Sequence, residues 1–102
     1  MVSPAATPAA LDMNRRRVGV RNTDVELTAK EFDILQMLAE HAGRVYTKAQ
    51  IYERVWNEEP FGDLGTVQVH IHRLRTKIER DPDHPELVTT VWGIGYRFED
   101  GR

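Results

Sequence analysis

Large apolar residues fall along the chain in three successive rhythms. Between residues 11 and 27 they come in pairs two apart: Leu11 with Met13, Val18 with Val20, Val25 with Leu27. That is the period of a short, half-buried strand. Asn14-Arg15 and Arg21-Asn22-Thr23-Asp24 supply turns between the pairs, so a small antiparallel sheet is expected. From residue 28 the period lengthens. Thr28 with Glu31 forms a capping box, and Phe32, Leu35, Leu38 and Ala39 repeat at helical spacing until Ala42-Gly43 ends the run. A second box, Thr47 with Gln50, opens a helix that turns Ile51, Val55 and Tyr52 inward and finishes near Trp56 and Asn57. Glu58-Glu59-Pro60-Phe61-Gly62-Asp63 then breaks the pattern. A third helix is expected over residues 64–79, with Asp63 as its cap and Val67, Ile71, Leu74 and Ile78 in one narrow stripe. Arg80-Asp81-Pro82-Asp83-His84-Pro85 stops it. The last rhythm is again that of strands, residues 87–91 and 96–99. Between them lies a Trp92-Gly93-Ile94-Gly95 hairpin, whose glycines are placed for tight turning.

Residues 1–10, almost entirely Ala, Pro, Ser and Thr, read as a disordered linker or tail, which leaves 11–100 as one domain. A chain of 102 residues that is 40% hydrophobic can bury a core of its own. It has no cysteine, which excludes disulfides, thiolate zinc sites and thiol catalysis. No apolar run approaches the ~20 residues that span a bilayer, and the first ten residues lack the features of a secretory signal. A soluble, cytoplasmic protein without membrane contact is expected. The net charge of −2 says nothing for a nucleic-acid partner. Any such evidence must lie in how charge is arranged.

The third helix carries that arrangement. At about 100° per residue, Thr66, Val69, His70, Arg73 and Lys77 form a connected region pointing away from the apolar stripe, with Gln68, His72 and Arg75 on the flanks. Arg73, Arg75 and Lys77 are unopposed by any carboxylate between residues 65 and 78, while Glu58, Glu59 and Asp63 precede them. A basic outer face suits a major groove, where Arg bonds guanine and small or apolar side chains meet thymine methyls.

The sequence resembles the winged-helix DNA-binding domain of OmpR/PhoB-type response regulators over nearly all of residues 11–100. Four elements carry the resemblance: Leu27-Thr28-Ala29-Lys30-Glu31-Phe32-Asp33-Ile34-Leu35; Trp56; Thr66-Val67-Gln68-Val69-His70-Ile71-His72-Arg73-Leu74-Arg75-Thr76-Lys77-Ile78; and Thr90-Val91-Trp92-Gly93-Ile94-Gly95-Tyr96-Arg97-Phe98. It implies an α+β winged helix-turn-helix: an amino-terminal four-stranded antiparallel sheet, three helices and a carboxy-terminal hairpin wing. It implies base-facing roles for Val69, His70, His72 and Arg73. Contacts to phosphate, or from the wing, fall to Trp56, Thr66, Arg75, Lys77, Thr90, Trp92, Tyr96 and Arg97. The loop with Glu58, Glu59 and Asp63 matches a segment that touches RNA polymerase in activators of the family. Three positions depart from the usual pattern: Gly65 and Trp92 stand where arginines are common, and Gln68 where aspartate is. With Trp92 in place of a cation, the wing is expected to anchor through Thr90, Tyr96 and Arg97 with weak sequence preference.

The partners expected are therefore double-stranded DNA, RNA polymerase and a receiver domain preceding this segment in the intact protein. The isolated domain should be monomeric and pair on DNA. No cofactor and no catalysis are expected. His70 and His72 lie about 200° apart on their helix and cannot share an ion from it alone, and His41 and His84 fall at loop or helix-end positions with no obvious acidic companion geometry. The competing reading is a winged helix that turns its basic helix toward an acidic protein.

Overall fold

The computed structural model describes residues 13, 14 and 16–99. The expected linker over 1–10, the Leu11 end of the first strand and the side chain of Arg15 lie outside the described residues. Three strands, β1 (Met13–Asn14), β2 (Arg17–Val20) and β3 (Thr23–Glu26), form an antiparallel sheet in that order. Among the described residues this sheet has three strands, where the resemblance implied four. Val20 pairs with Thr23, so Arg21 and Asn22 make a two-residue turn, both with positive φ (49° and 65°), as a right-handed twist requires. Arginine is unusual there; its side chain is anchored far away, Nη2 donating to the Ile78 carbonyl at 2.8 Å.

Helices α1 (Ala29–Glu40), α2 (Lys48–Trp56) and α3 (Gly65–Ile78) follow. Both predicted capping boxes are formed, Thr28 with Glu31 and Thr47 with Gln50. The cap of α3 is different. Leu64 occupies the cap position and contributes no side-chain bond. Asp63, one residue earlier, still accepts the Gly65 N–H at 3.0 Å, so the expected carboxylate serves a helix that begins slightly later. Helix α1 is enclosed on more sides than its periodicity suggested, burying Ile34 and Met37 as well as Leu35 and Leu38. It packs at once against α2, α3 and the last strand. The α3 stripe of Val67, Ile71, Leu74 and Ile78 is buried as predicted, each side chain contributing about 1.5–3 kcal/mol.

Beyond α3 lie a two-residue strand β4 (Tyr46–Thr47, between α1 and α2 in sequence) and the hairpin β5 (Val88–Val91) and β6 (Gly95–Phe98), joined as a sheet in the order β4-β6-β5. β4 has no periodicity to betray it. Its partner Gly95 was expected to serve the turn, but its role is packing: a Cβ there would collide with the Tyr46 carbonyl oxygen. Only Gly93, with φ +79°, bends the hairpin, and Ile94 N–H closes the turn on Val91 O at 2.9 Å.

Candidate nucleic-acid interface

Helix α3 is held along two flanks, and together they define what remains exposed. On the flank facing the hairpin, Arg75 is half-buried. Its Nε donates to Val88 O at 2.9 Å, its Nη2 donates to Thr90 Oγ1 at 2.8 Å, and its guanidinium lies 5.6 Å from the centre of the Tyr96 ring. Burial lowers the Arg75 pKa from its ordinary value, opposed by Tyr96 and Glu79. The same burial raises that of Tyr96, opposed by Arg75 and Gln68. Just past α3, the buried Glu79 accepts from the backbone N–H groups of Glu86, Leu87 and Val88 at 2.8–3.1 Å, fixing the approach to β5. A groove of about 500 Å³ runs between this flank and the hairpin, lined by Lys48, Gln68, Arg75, Thr90, Trp92 and Ile94 among others.

On the opposite flank, Lys77 Nζ is 2.6 Å from Oε1 of Glu31, which is 2% exposed. Glu31 also accepts the Thr28 N–H, so one carboxylate closes the cap of α1 and ties it to α3. His70 is half-buried, with Nδ1 2.7 Å from Thr66 O. A carbonyl can only accept, so Nδ1 carries the proton. The His70 ring meets Trp56 edge-on at 5.1 Å, Trp56 stacks on Tyr52 at 5.1 Å, and Lys30 Nζ lies 5.4 Å from the Trp56 ring centre.

The expected arrangement of the helix surface is thus rotated. Thr66, His70 and Lys77 were assigned to the outward face but lie nearer the core stripe, about 70–110° from its centre; His70 meets Trp56 of α2, Lys77 meets Glu31 of α1, and Thr66 is half-buried. His72, assigned to a flank, is exposed together with Val69, Arg73 and Thr76. These four form the outward strip. Val69 is 46% exposed.

The other predicted site residues divide. Thr90 and Tyr96 are register partners on the hairpin face toward α3. Arg97 alternates to the other face, where its Nε bonds Glu99 Oε2 at 3.2 Å, a carboxylate that Thr89 also uses. Trp92 stands at the hairpin tip, 88% exposed. In the loop between α2 and α3, Glu58 accepts from the Tyr52 hydroxyl at 2.9 Å, a bond that raises the Tyr52 pKa, while Glu59 and Asp63 are exposed. Two residues escaped the sequence reading. Lys48 reaches the hairpin groove because β4 brings the start of α2 beside β6. Phe61 protrudes from the acidic loop, 92% exposed. A lone aromatic between Pro and Gly was the available signal for Phe61.

Residues 22–98 match the family described as Transcriptional regulatory protein, C terminal. The chain is 44% identical over 94 residues to the sensory transduction protein RegX3 of Mycolicibacterium smegmatis, which covers 92% of this chain and 41% of that protein. It is 42% identical over 83 residues to the response regulator SaeR of Staphylococcus epidermidis, covering 81% of this chain and 36% of that one. It therefore spans well under half the length of these relatives. Among solved structures, it is similar to DrrB, a Thermotoga maritima OmpR/PhoB homolog (TM-score 0.74, 33% identity, 87% of this chain and 44% of that one). The Klebsiella pneumoniae RstA DNA-binding domain, solved in complex with the RstA box, gives a TM-score of 0.79 at 29% identity, over 88% of this chain and 91% of that one. With the helix-turn-helix, the braced hairpin and these matches in agreement, the chain belongs to the family of C-terminal domains of transcriptional regulatory proteins, in the OmpR/PhoB-type winged-helix form.

Proposed function

We propose that this chain is the effector domain of a two-component response regulator and binds double-stranded DNA sequence-specifically to control transcription, without catalysis. The observation that carries the reading is the outward strip of α3: Val69, His72, Arg73 and Thr76 exposed side by side on a helix fixed along both flanks. Arg73 suits guanine, Val69 a thymine methyl, and His72 an acceptor or donor on a base edge. Thr66, Trp56, Thr90 and Tyr96 flank the strip and serve the phosphate backbone. Lys77 and Arg97, engaged by Glu31 and Glu99, are secondary. In the intact, cytoplasmic protein a receiver domain precedes residue 1, and residues 11–100 act as one domain. The acidic loop with Glu58, Glu59, Asp63 and Phe61 faces RNA polymerase. The isolated domain is monomeric and pairs on adjacent half-sites, where effective concentration adds affinity.

Selection of bound sequences from a random duplex pool, followed by a salt titration on the winner, tests the reading. One enriched half-site whose affinity falls steeply with salt is expected. Failure to enrich any sequence, with tight binding to an acidic protein instead, would overturn it.

A further inference from the structure

The hairpin tip is chemically unlike the rest of the α3 surroundings. From Thr90 to Gly95 it has no charged residue, so it has no cation for phosphate and no guanidinium for a narrow, electronegative minor groove. It presents two large apolar side chains instead, Trp92 at 88% exposure and Ile94 at 59%. They belong to one closed turn, Trp92 beside the positive-φ Gly93 and Ile94 bonded back to Val91.

Nor does the tip stand on a loose arm. Arg75 fastens β5 to α3 at Val88 O and Thr90 Oγ1, Glu79 fixes the entry to β5, and β4 lies against Gly95 from the other side. Trp92 and Ile94 line the same open groove as Gln68 and Arg75 of α3. Whatever α3 reads, the hairpin that carries the two apolar side chains is fastened beside it.

The geometry points to an apolar wedge: Trp92 and Ile94 enter the minor groove next to the half-site and part-insert at one base step, opening the stack and bending the duplex. This rests on the DNA-binding reading and departs from the backbone-anchored wing expected from sequence. Base faces, unlike phosphates, are apolar enough to cover an indole and a branched aliphatic chain. Insertion needs no hydrogen bond from the protein, and it is easiest at pyrimidine–purine steps, which unstack readily. The wing then contributes specificity through deformability, where a charged wing would read groove potential.

The test uses the selected half-site in duplexes that differ only at the wing-side flank, a TA step against an A-tract. Fluorophores at the duplex ends report bending, and 2-aminopurine in the flanking step reports unstacking. The wild-type chain should bend the TA duplex, brighten the 2-aminopurine and bind about tenfold tighter than to the A-tract, the order of one aromatic stacking contact. Trp92→Ala and Ile94→Ala should erase bend, brightening and flank preference while still selecting the same major-groove sequence, and Trp92→Phe should retain all three. A straight duplex with sequence-specific binding intact would overturn the wedge and leave the DNA-binding reading standing. Bending that requires Trp92 but appears only with two copies bound would assign the tip to a neighbouring copy, and also overturns it. If no duplex is enriched at all, both readings fall.

Discussion

The two flanks of α3 are secured by different physics. Toward α1 and α2 the helix is held by area: Val67, Ile71 and Leu74 share the core with Ile34, Leu35 and Leu38, and the Lys77–Glu31 pair and the His70–Trp56 contact add to it. Toward the hairpin it is held largely by directed polar bonds, Arg75 to a carbonyl and a hydroxyl, and Glu79 to three backbone N–H groups. Apolar burial is forgiving of small shifts, while a buried hydrogen bond is not. The hairpin is therefore fastened by the stiffer means. On both flanks the cost is the same: a basic side chain of the reading helix is committed to structure.

The sharpest way to break the comparison is Glu79→Ala. It leaves the N–H groups of Glu86, Leu87 and Val88 without their acceptor, and should destabilise the fold by about 3 kcal/mol or more, read from the urea midpoint. A loss under about 1 kcal/mol would mean the connection is not held by this carboxylate.

Arg73 and Arg75, two residues apart, separate reading from bracing. Arg73→Ala should cost about 1–3 kcal/mol of affinity on the selected duplex and flatten preference at one base pair, with stability unchanged within about 0.5 kcal/mol. Arg75→Ala should lower stability by about 1–2 kcal/mol and weaken all duplexes alike. Equal thermal and binding profiles for the two variants would erase the distinction between strip and flank.

The helical flank should show its ionic part in acid. Burial raises the pKa of Glu31, but the Lys77 bond, the Thr28 N–H and the Lys77 charge outweigh it, and the net shift is below the ordinary 4.5. A carboxyl depressed by folding stabilises fully above its unfolded value and loses that contribution as pH falls through the folded one. Stability should thus decline below about pH 4.5, and Glu31→Gln should flatten the decline while costing about 1 kcal/mol at neutral pH. An unchanged acid profile in Glu31→Gln would place the sensitivity elsewhere.

The smallest effect is expected outside both flanks. Replacing Glu58, Glu59 and Asp63 together by their amides, which keeps an acceptor for the Gly65 N–H, should leave DNA affinity unchanged or slightly higher, since like charges no longer face phosphate, while the transcriptional effect is lost. A large loss of affinity in a folded triple variant would contradict a polymerase-facing loop.

Local signals in the sequence determined the elements. Thr28–Glu31 and Thr47–Gln50 mark helix starts because capping chemistry is complete within four residues. The α3 stripe marks a buried face because its spacing matches the helical turn, and motif order alone supports the family. Tertiary structure decided what each polar side chain is for. Whether Arg75 or Lys77 is available to a ligand depends on residues 13 to 46 positions away, Val88, Thr90 and Glu31. Strand β4 exists only because Gly95 lets Tyr46 approach. The 100° rule gives the right core and, measured from the centre of that stripe, also sets Val69, His72, Arg73 and Thr76 opposite it, whereas Thr66, His70 and Lys77 lie only about 70–110° from the core, on a flank; which neighbours crowd that flank is decided by the fold. Hydrophobic pattern is written locally; the partner of a charge is chosen by the fold.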